Sequence, residues 1–230
     1  MLWYYDPSYI LVIIGLVVCA LASLNVNATF KRHSKTLNGR GITAEEAARQ
    51  ILNSAGILDV RIERVSGSLS DHYSPKEKVL RLSESVYGST SVAAIGVAAH
   101  ECGHAIQHKE GYAPLKLRNA AVPIANFGSF LYLPVIIIGF ILSYMELVQI
   151  GILLFSLIVL FQLITLPVEF NASRRATAVL AESHTLTEAE LSGAKKVLRA
   201  AAMTYVAALF SSILQLLRFI LMARSGGRRR

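Results

Sequence analysis

Leu147-Val-Gln-Ile-Gly-Ile-Leu-Leu-Phe-Ser-Leu-Ile-Val-Leu-Phe-Gln-Leu-Ile-Thr-Leu166 contains no charged side chain. A helix of about 20 apolar residues is long enough to cross the hydrocarbon core of a bilayer. Three further apolar runs accompany it: Tyr9 to Leu24, about Asn126 to Tyr144, and Ala200 to Leu217, the last weakened by Gln215 and Arg218 near its end. Charged residues make up only 17% of the chain, against roughly 25% in a soluble domain. The expectation is an integral membrane protein, mainly α, with three to four transmembrane helices.

Working outward from this span, its N-terminal neighbour is separated from it by only two or so residues around Met145 and Glu146. The two therefore form an antiparallel helical hairpin. On its C-terminal side, Pro167 is expected to end the span and Glu169 to begin a new helical stretch reaching about Ala181. The chain then divides into an N-terminal anchor over 1–29, a region over 30–125 that contains His100-Glu-Cys-Gly-His104, the hairpin over 126–167, a connecting helical region over 168–199, and a hydrophobic helix with a basic tail over 200–230. Met1 to Asp6 carries no Lys or Arg ahead of the first apolar run, so that run reads as a retained anchor and not a cleaved signal. Trp3, Tyr4, Tyr5 and Tyr9 suit an interfacial aromatic belt.

Within 30–125, Thr43-Ala-Glu-Glu46 is a capping box that opens a helix ending at Gly56. Ile57 to Val65 alternates apolar and polar residues and reads as a strand. Leu69 to Tyr73 and Lys78 to Ser83 flank Ser74-Pro75 and complete a small sheet. Ser91 opens a helix running through His108. Thr187-Glu-Ala-Glu190 is a second capping box, ahead of the fourth apolar run.

A net charge of +8 and a pI near 9.7 raise the question of nucleic acid, but no nucleic-acid motif accompanies the charge. In a membrane protein Lys and Arg gather in cytoplasmic segments and meet anionic lipid. Lys31, Arg32, Lys35 and Arg40 follow the first span, and Lys116, Arg118, Arg174 and Arg175 sit at the same end of the hairpin. This places the N-terminus outside and residues 30–120 in the cytoplasm. Arg224 and Arg228–Arg230 run against that pattern if the fourth run crosses fully. Cys19 and Cys102 are the two cysteines, and neither reads as half of a disulfide framework.

The chemistry lies in His100-Glu-Cys-Gly-His104. Positions i and i+4 share a helix face, so both imidazoles can reach one metal ion. Glu101 can point across the metal to a water whose pKa zinc lowers to about 7, take its proton during attack on a carbonyl, and pass it to the leaving amine. One Zn²⁺ per chain is expected. A catalytic zinc needs a third protein ligand. The extended metzincin pattern is excluded, because Gln107 and Glu110 stand where Gly and His would be needed. His108 lies about 12 Å along the axis from His100, too far to share the ion, and reads as a histidine facing the last carbonyls of its helix. An intramembrane protease would place the motif inside a full span with a later Asp, and no Asp follows Asp71.

Among the later carboxylates, Glu110 lies in the turn ending the ligand helix and Glu146 at the far end of the hairpin. Glu182, Glu188 and Glu190 belong to a polar stretch. Glu169 returns to the membrane face that carries His100 and His104, and is read as the third ligand. The competing role is a carboxylate stabilised at a helix N-terminus by the macrodipole. Ser173, at i+4 from Glu169, shares its face and is placed to hydrogen-bond a ligand imidazole. Asn171 is grouped with it as a supporting residue.

His100-Glu-Cys-Gly-His-Ala-Ile-Gln107, with Asp71-His-Tyr-Ser-Pro75 and Val79-Leu-Arg-Leu-Ser83 before it and Pro167-Val-Glu-Phe-Asn-Ala-Ser173 after it, resembles the YugP-type bacterial membrane zinc peptidases over nearly the whole chain. More distantly, the order of parts is similar to the HtpX-type and CAAX-prenyl-protease zincins. Those also place a transmembrane hairpin between the histidine pair and a glutamate ligand, and carry Asp where this chain has Ser173. The resemblance implies zinc, a gluzincin-like α+β catalytic region and Glu169 as third ligand. By analogy with zincins generally, Val79, Leu80, Arg81 and Leu82 form either an edge strand for substrate or an ordinary strand of the sheet. An edge strand binds extended peptide through backbone hydrogen bonds. His72, Tyr73, His184 and Tyr205 are the side chains able to donate to a tetrahedral oxyanion, although packing or surface roles are the simpler reading for each.

The expected function is a membrane-bound zinc endopeptidase, whose partners are a peptide or membrane-protein substrate and the lipid bilayer that holds its spans. The alternative is a catalytically silent scaffold or chaperone on a zincin fold, against which an intact Glu101 argues. A metal transporter would want ionisable residues within its spans, and the run Leu147–Leu166 has none.

Overall fold

The computed structural model describes residues 7–68 and 70–227, with side chains to Arg224. The expectations that rest on Trp3, Tyr4, Tyr5, Asp6, Leu69 and Arg228–Arg230 fall outside the described residues. The elements in order are α1 (Tyr9–His33), α2 (Ala44–Ser54), β1 (Arg61–Val65), β2 (His72–Ser74), β3 (Val79–Ser83), α3 (Val92–Lys109), α4 (Ala113–Ile141), α5 (Met145–Glu182) and α6 (Glu188–Gly227). The protein is thus mainly helical with one small mixed sheet. Among the described residues, four helices, α1, α4, α5 and α6, are long and apolar enough to cross a membrane.

The chain separates into two compact units, each assembled from segments distant in sequence. One comprises the residues up to Ser23 with Lys116–Leu166 and Thr204–Arg230, and the other comprises Leu24–Leu115 with Pro167–Met203.

In the first unit, the α4–α5 hairpin packs by close backbone approach. A Cβ on Gly128 would lie 2.9 Å from the Leu154 carbonyl oxygen, and one on Gly151 would lie 3.0 Å from that of Tyr132. Small residues at such crossings give transmembrane helices the van der Waals contact that water would otherwise drive. Tyr132, Phe155 and Phe219 stack at centroid separations of 4.9 to 6.3 Å. Arg218, which interrupts the fourth apolar run, is accommodated with its guanidinium 4.2 Å from the centroid of the Tyr9 ring.

In the second unit, α3 is the central element. Ser91 caps it by accepting from the Ala94 amide at 3.2 Å. Its small residues Ala94, Ala98, Ala99, Cys102 and Ala105 let α2 and the sheet pack against it, together with Ile51, Leu52, Leu80 and Leu82. Full burial of each large aliphatic side chain contributes about 1.5–3 kcal/mol. Both capping boxes form. Thr43 and Glu46 exchange hydrogen bonds at the start of α2, and Thr187 and Glu190 do so at the start of α6.

Two expectations are corrected here. The sheet order is β1-β3-β2, so Val79–Ser83 is the central strand and not an edge. β1 pairs with it in parallel and β2 in antiparallel, which occupies both of its backbone edges. Val79, Leu80 and Leu82 are fully buried, and Arg81 lies between Glu63 and Glu77. The second correction concerns Pro167, which lies inside the 38-residue α5 and does not end it. A proline removes one amide donor, a loss that long apolar helices tolerate. Glu169 is therefore deep within a helix, and a macrodipole role at a helix N-terminus is ruled out by its position. The preceding helix also starts earlier than its apolar run, at Ala113, and the hairpin turn is 142–144.

Candidate metal centre

The two segments that meet at the site are α3 and the Pro167–Glu182 part of α5. On α3, positions 100, 103, 104 and 107 fall on one stripe by the i, i+3, i+4, i+7 rule. Gly103 is the point of closest approach. A Cβ there would lie 2.5 Å from the Ala172 carbonyl oxygen, so any side chain would push the helices apart. On α5 the facing stripe is Val168, Glu169, Ala172, Ser173 and Ala176, all buried except the partly exposed Ser173. The absence of a side chain at 103 thus sets the distance between the histidine pair and Glu169.

Glu169 is 3% exposed, and its Oε2 lies 3.2 Å from His100 Nε2 and 3.6 Å from His104 Nε2. One ligand atom from each of the three residues lies within 4.8 Å of the others. Donor atoms held about 2.0–2.1 Å from a tetrahedral zinc lie roughly 3.3–3.4 Å apart, which the two N···O distances bracket. Two imidazoles and a carboxylate also match the donor set of a catalytic zinc. The residues present fit the ion.

Each ring is aimed through its other nitrogen. His100 Nδ1 lies 3.1 Å from Ser173 Oγ, and His104 Nδ1 lies 3.0 Å from Gln107 Oε1. The orientation of Gln107 follows from its partners. Arg175 Nε, a donor only, donates to Asn171 Oδ1 at 2.7 Å, so that atom is an oxygen facing inward. The Gln107 amide nitrogen then donates to this same oxygen at 2.8 Å and to the Val168 carbonyl at 2.9 Å. Its Oε1 must therefore face His104, which places the proton on His104 Nδ1 and leaves the Nε2 lone pair for the ligand position. Glu110 anchors the far end of the series by pairing with Arg175 at 2.7 Å. From sequence, Gln107 and Arg175 are given no role at the site. Their helical spacing, i+3 from His104 and i+4 from Asn171, was the available signal.

Burial alone would lower the basicity of His104, but its hydrogen bond to Glu169 and the nearby charges of Glu101 and Glu169 lift it above the ordinary histidine value. Glu101 is 8% exposed and, among the described residues, makes no hydrogen bond or ion pair. A carboxylate so placed is costly unless a cation and its water complete its surroundings. Cys102 points the other way, toward the Ala48 carbonyl, and burial pushes its thiol up and keeps it inert.

The remaining sequence-predicted residues are dispersed. His72 is exposed on β2, its Nδ1 2.9 Å from the Ser70 carbonyl oxygen. The Tyr73 hydroxyl lies 2.9 Å from His108 Nδ1, so His108 binds a strand and does not face its own helix carbonyls. Burial raises the Tyr73 pKa, which keeps the hydroxyl protonated. His184 is exposed in the turn after α5, at φ 49°, roughly 20 Å along the helix from Glu169. Tyr205 is an exposed residue of α6.

A long apolar helix set with a His-His-Glu cluster defines the class. The chain matches the family described as "Putative neutral zinc metallopeptidase" over residues 8–224 and belongs to it. Among its relatives is the "Putative membrane protease YugP" of Bacillus subtilis strain 168, 46% identical over 205 residues, which are 89% of this chain and 91% of that protein. No solved structure matches the chain.

Proposed function

We propose that the chain is a membrane-embedded zinc endopeptidase in which His100, His104 and Glu169 hold one metal ion and Glu101 is the general base. The observation that carries this is the convergence of three ligand atoms within 4.8 Å, with an unengaged, mostly buried carboxylate on the residue after His100. Bound there, zinc supplies Lewis acidity toward a carbonyl and lowers the pKa of its water to about 7. Glu101 accepts the proton of the attacking water and delivers it to the leaving amine nitrogen, which closes the proton balance of hydrolysis. Ser173 and Gln107 hold the imidazoles in register through this cycle. Since β3 is interior, the strand suited to pair with an extended peptide is β2. It is an edge of the sheet, and its Tyr73 is bonded to His108, one turn beyond His104.

The test is the full-length protein purified in mild detergent and given an unfolded protein substrate. Metal analysis is expected to find about one zinc per chain, with cleavage that stops on chelation and returns with zinc. A zinc-free preparation that still cleaves would overturn the reading.

The charge pattern supports a cytoplasmic site, with Lys31 and Arg32 in the last turn of α1 and Lys35 and Arg40 after it. A cysteine replacing Glu45 should resist a membrane-impermeant reagent in intact cells, and one replacing Glu146 should react. The reverse pattern would invert the orientation.

A further inference from the structure

A groove of about 290 Å³ lies where the last turns of α1 meet the first turns of α6, apart from the metal centre. From α1 it is lined by Asn25, Thr29, Arg32 and His33, spaced i, i+4, i+7, i+8 and so on one helix face. From α6 it is lined by Lys196, Arg199, Ala200 and Met203, again a single face. The two helices are drawn together at Gly193, where a Cβ would lie 2.9 Å from His33 Nδ1. Three fixed positive charges therefore share one recess that no acidic residue lines. Among the described residues none of the three has an ion-pair partner. Such mutual repulsion is relieved by a bound anion.

We propose that this groove binds the anionic phosphate headgroup of a membrane lipid. Its level along both helices supports the membrane as the source. The apolar run of α1 gives out at Leu24, just before the groove, and that of α6 begins at Ala200, inside it. Arg32, His33, Lys196 and Arg199 stand at the water end, and Ala200 and Met203 at the apolar end. The order matches a lipid, with phosphate against the cations and the ester and acyl start against Thr29, Ala200 and Met203. Basic recesses between transmembrane helices on the cytoplasmic side recognise anionic headgroups in this way. A free phosphate uses only the upper half of the groove.

The test compares phosphatidylglycerol with phosphatidylcholine by native mass spectrometry of the detergent-purified full chain. Wild type should retain the anionic lipid at least ten-fold more tightly. Each charge near an anionic surface is worth about five-fold, so Arg32→Gln/Lys196→Gln/Arg199→Gln should lose about 100-fold. Lys31→Gln/Lys35→Gln/Lys195→Gln removes as much charge outside the groove and should keep the preference. Equal loss in both triple variants would show a diffuse basic surface and overturn the site. Inorganic phosphate binding as tightly as the lipid would overturn the membrane source. Wild-type protein photocrosslinked to a reactive phosphatidylglycerol should be labelled on peptides covering 25–33 and 196–203. This measurement needs no variant, and labelling confined to other segments would refute the proposal.

Discussion

Glu101→Gln is expected to lose cleavage by about 10²–10⁴-fold while keeping its zinc, since removal of a general base typically costs that much. The structure makes this substitution unusually clean. Among the described residues the Glu101 carboxylate makes no hydrogen bond or ion pair, so a neutral amide of the same shape breaks nothing. The proposed ligand atoms belong to His100, His104 and Glu169, and the two imidazoles are hydrogen-bonded to Ser173 and Gln107. Metal content and thermal stability should therefore match wild type, and stability can rise because a mostly buried charge is removed. Undiminished cleavage by the variant would assign the activity to another base or another protein. Lost zinc would mean that Glu101 is a ligand and not the base.

Glu169→Ala is expected to cost more than the roughly 10–100-fold in zinc affinity that follows loss of an outer hydrogen-bond partner, and to abolish hydrolysis. The side chain is 3% exposed and lies within 3.6 Å of both imidazole Nε2 atoms, so no other carboxylate on the neighbouring turns can replace it. Glu182→Ala is the matched control, being exposed on the same helix. Glu190→Ala is not neutral, because its carboxylate accepts from the Thr187 and Gly39 amides. That variant should keep zinc and lose about 1 kcal/mol of stability. In the same titration Gln107→Leu should fall in the 10–100-fold range, as the His104 tautomer loses its support. Zinc affinity unchanged in Glu169→Ala would sink the ligand assignment.

The features legible in the sequence are those set by short-range geometry. Twenty uncharged residues mark a candidate span because, at the rise per residue of a helix, they match the thickness of the bilayer core. His100 and His104 share a face because they are one turn apart, and Thr43 with Glu46 caps α2 because the box closes within four residues. The family resemblance rests on the same local motifs and agrees with the membership found.

Tertiary structure decided what depends on contacts between distant segments. Strand order was one such outcome. Val79–Ser83 has the pattern of a strand at an edge or in the middle, and only pairing with β1 and β2 makes it central. Pro167 was read by its intrinsic effect as a helix end. Inside a long helix the loss of one donor is outweighed by the intact turns on either side, so α5 runs on. Gln107 was invisible as a functional residue because its role depends on Val168, Asn171 and His104 together, at a sequence separation of more than 60 residues for two of the three. Gly103 is similar. By itself a helix glycine only weakens the helix. Its use appears when the Ala172 carbonyl occupies the space a methyl would need, a close approach that brings His100, His104 and Glu169 into one cluster.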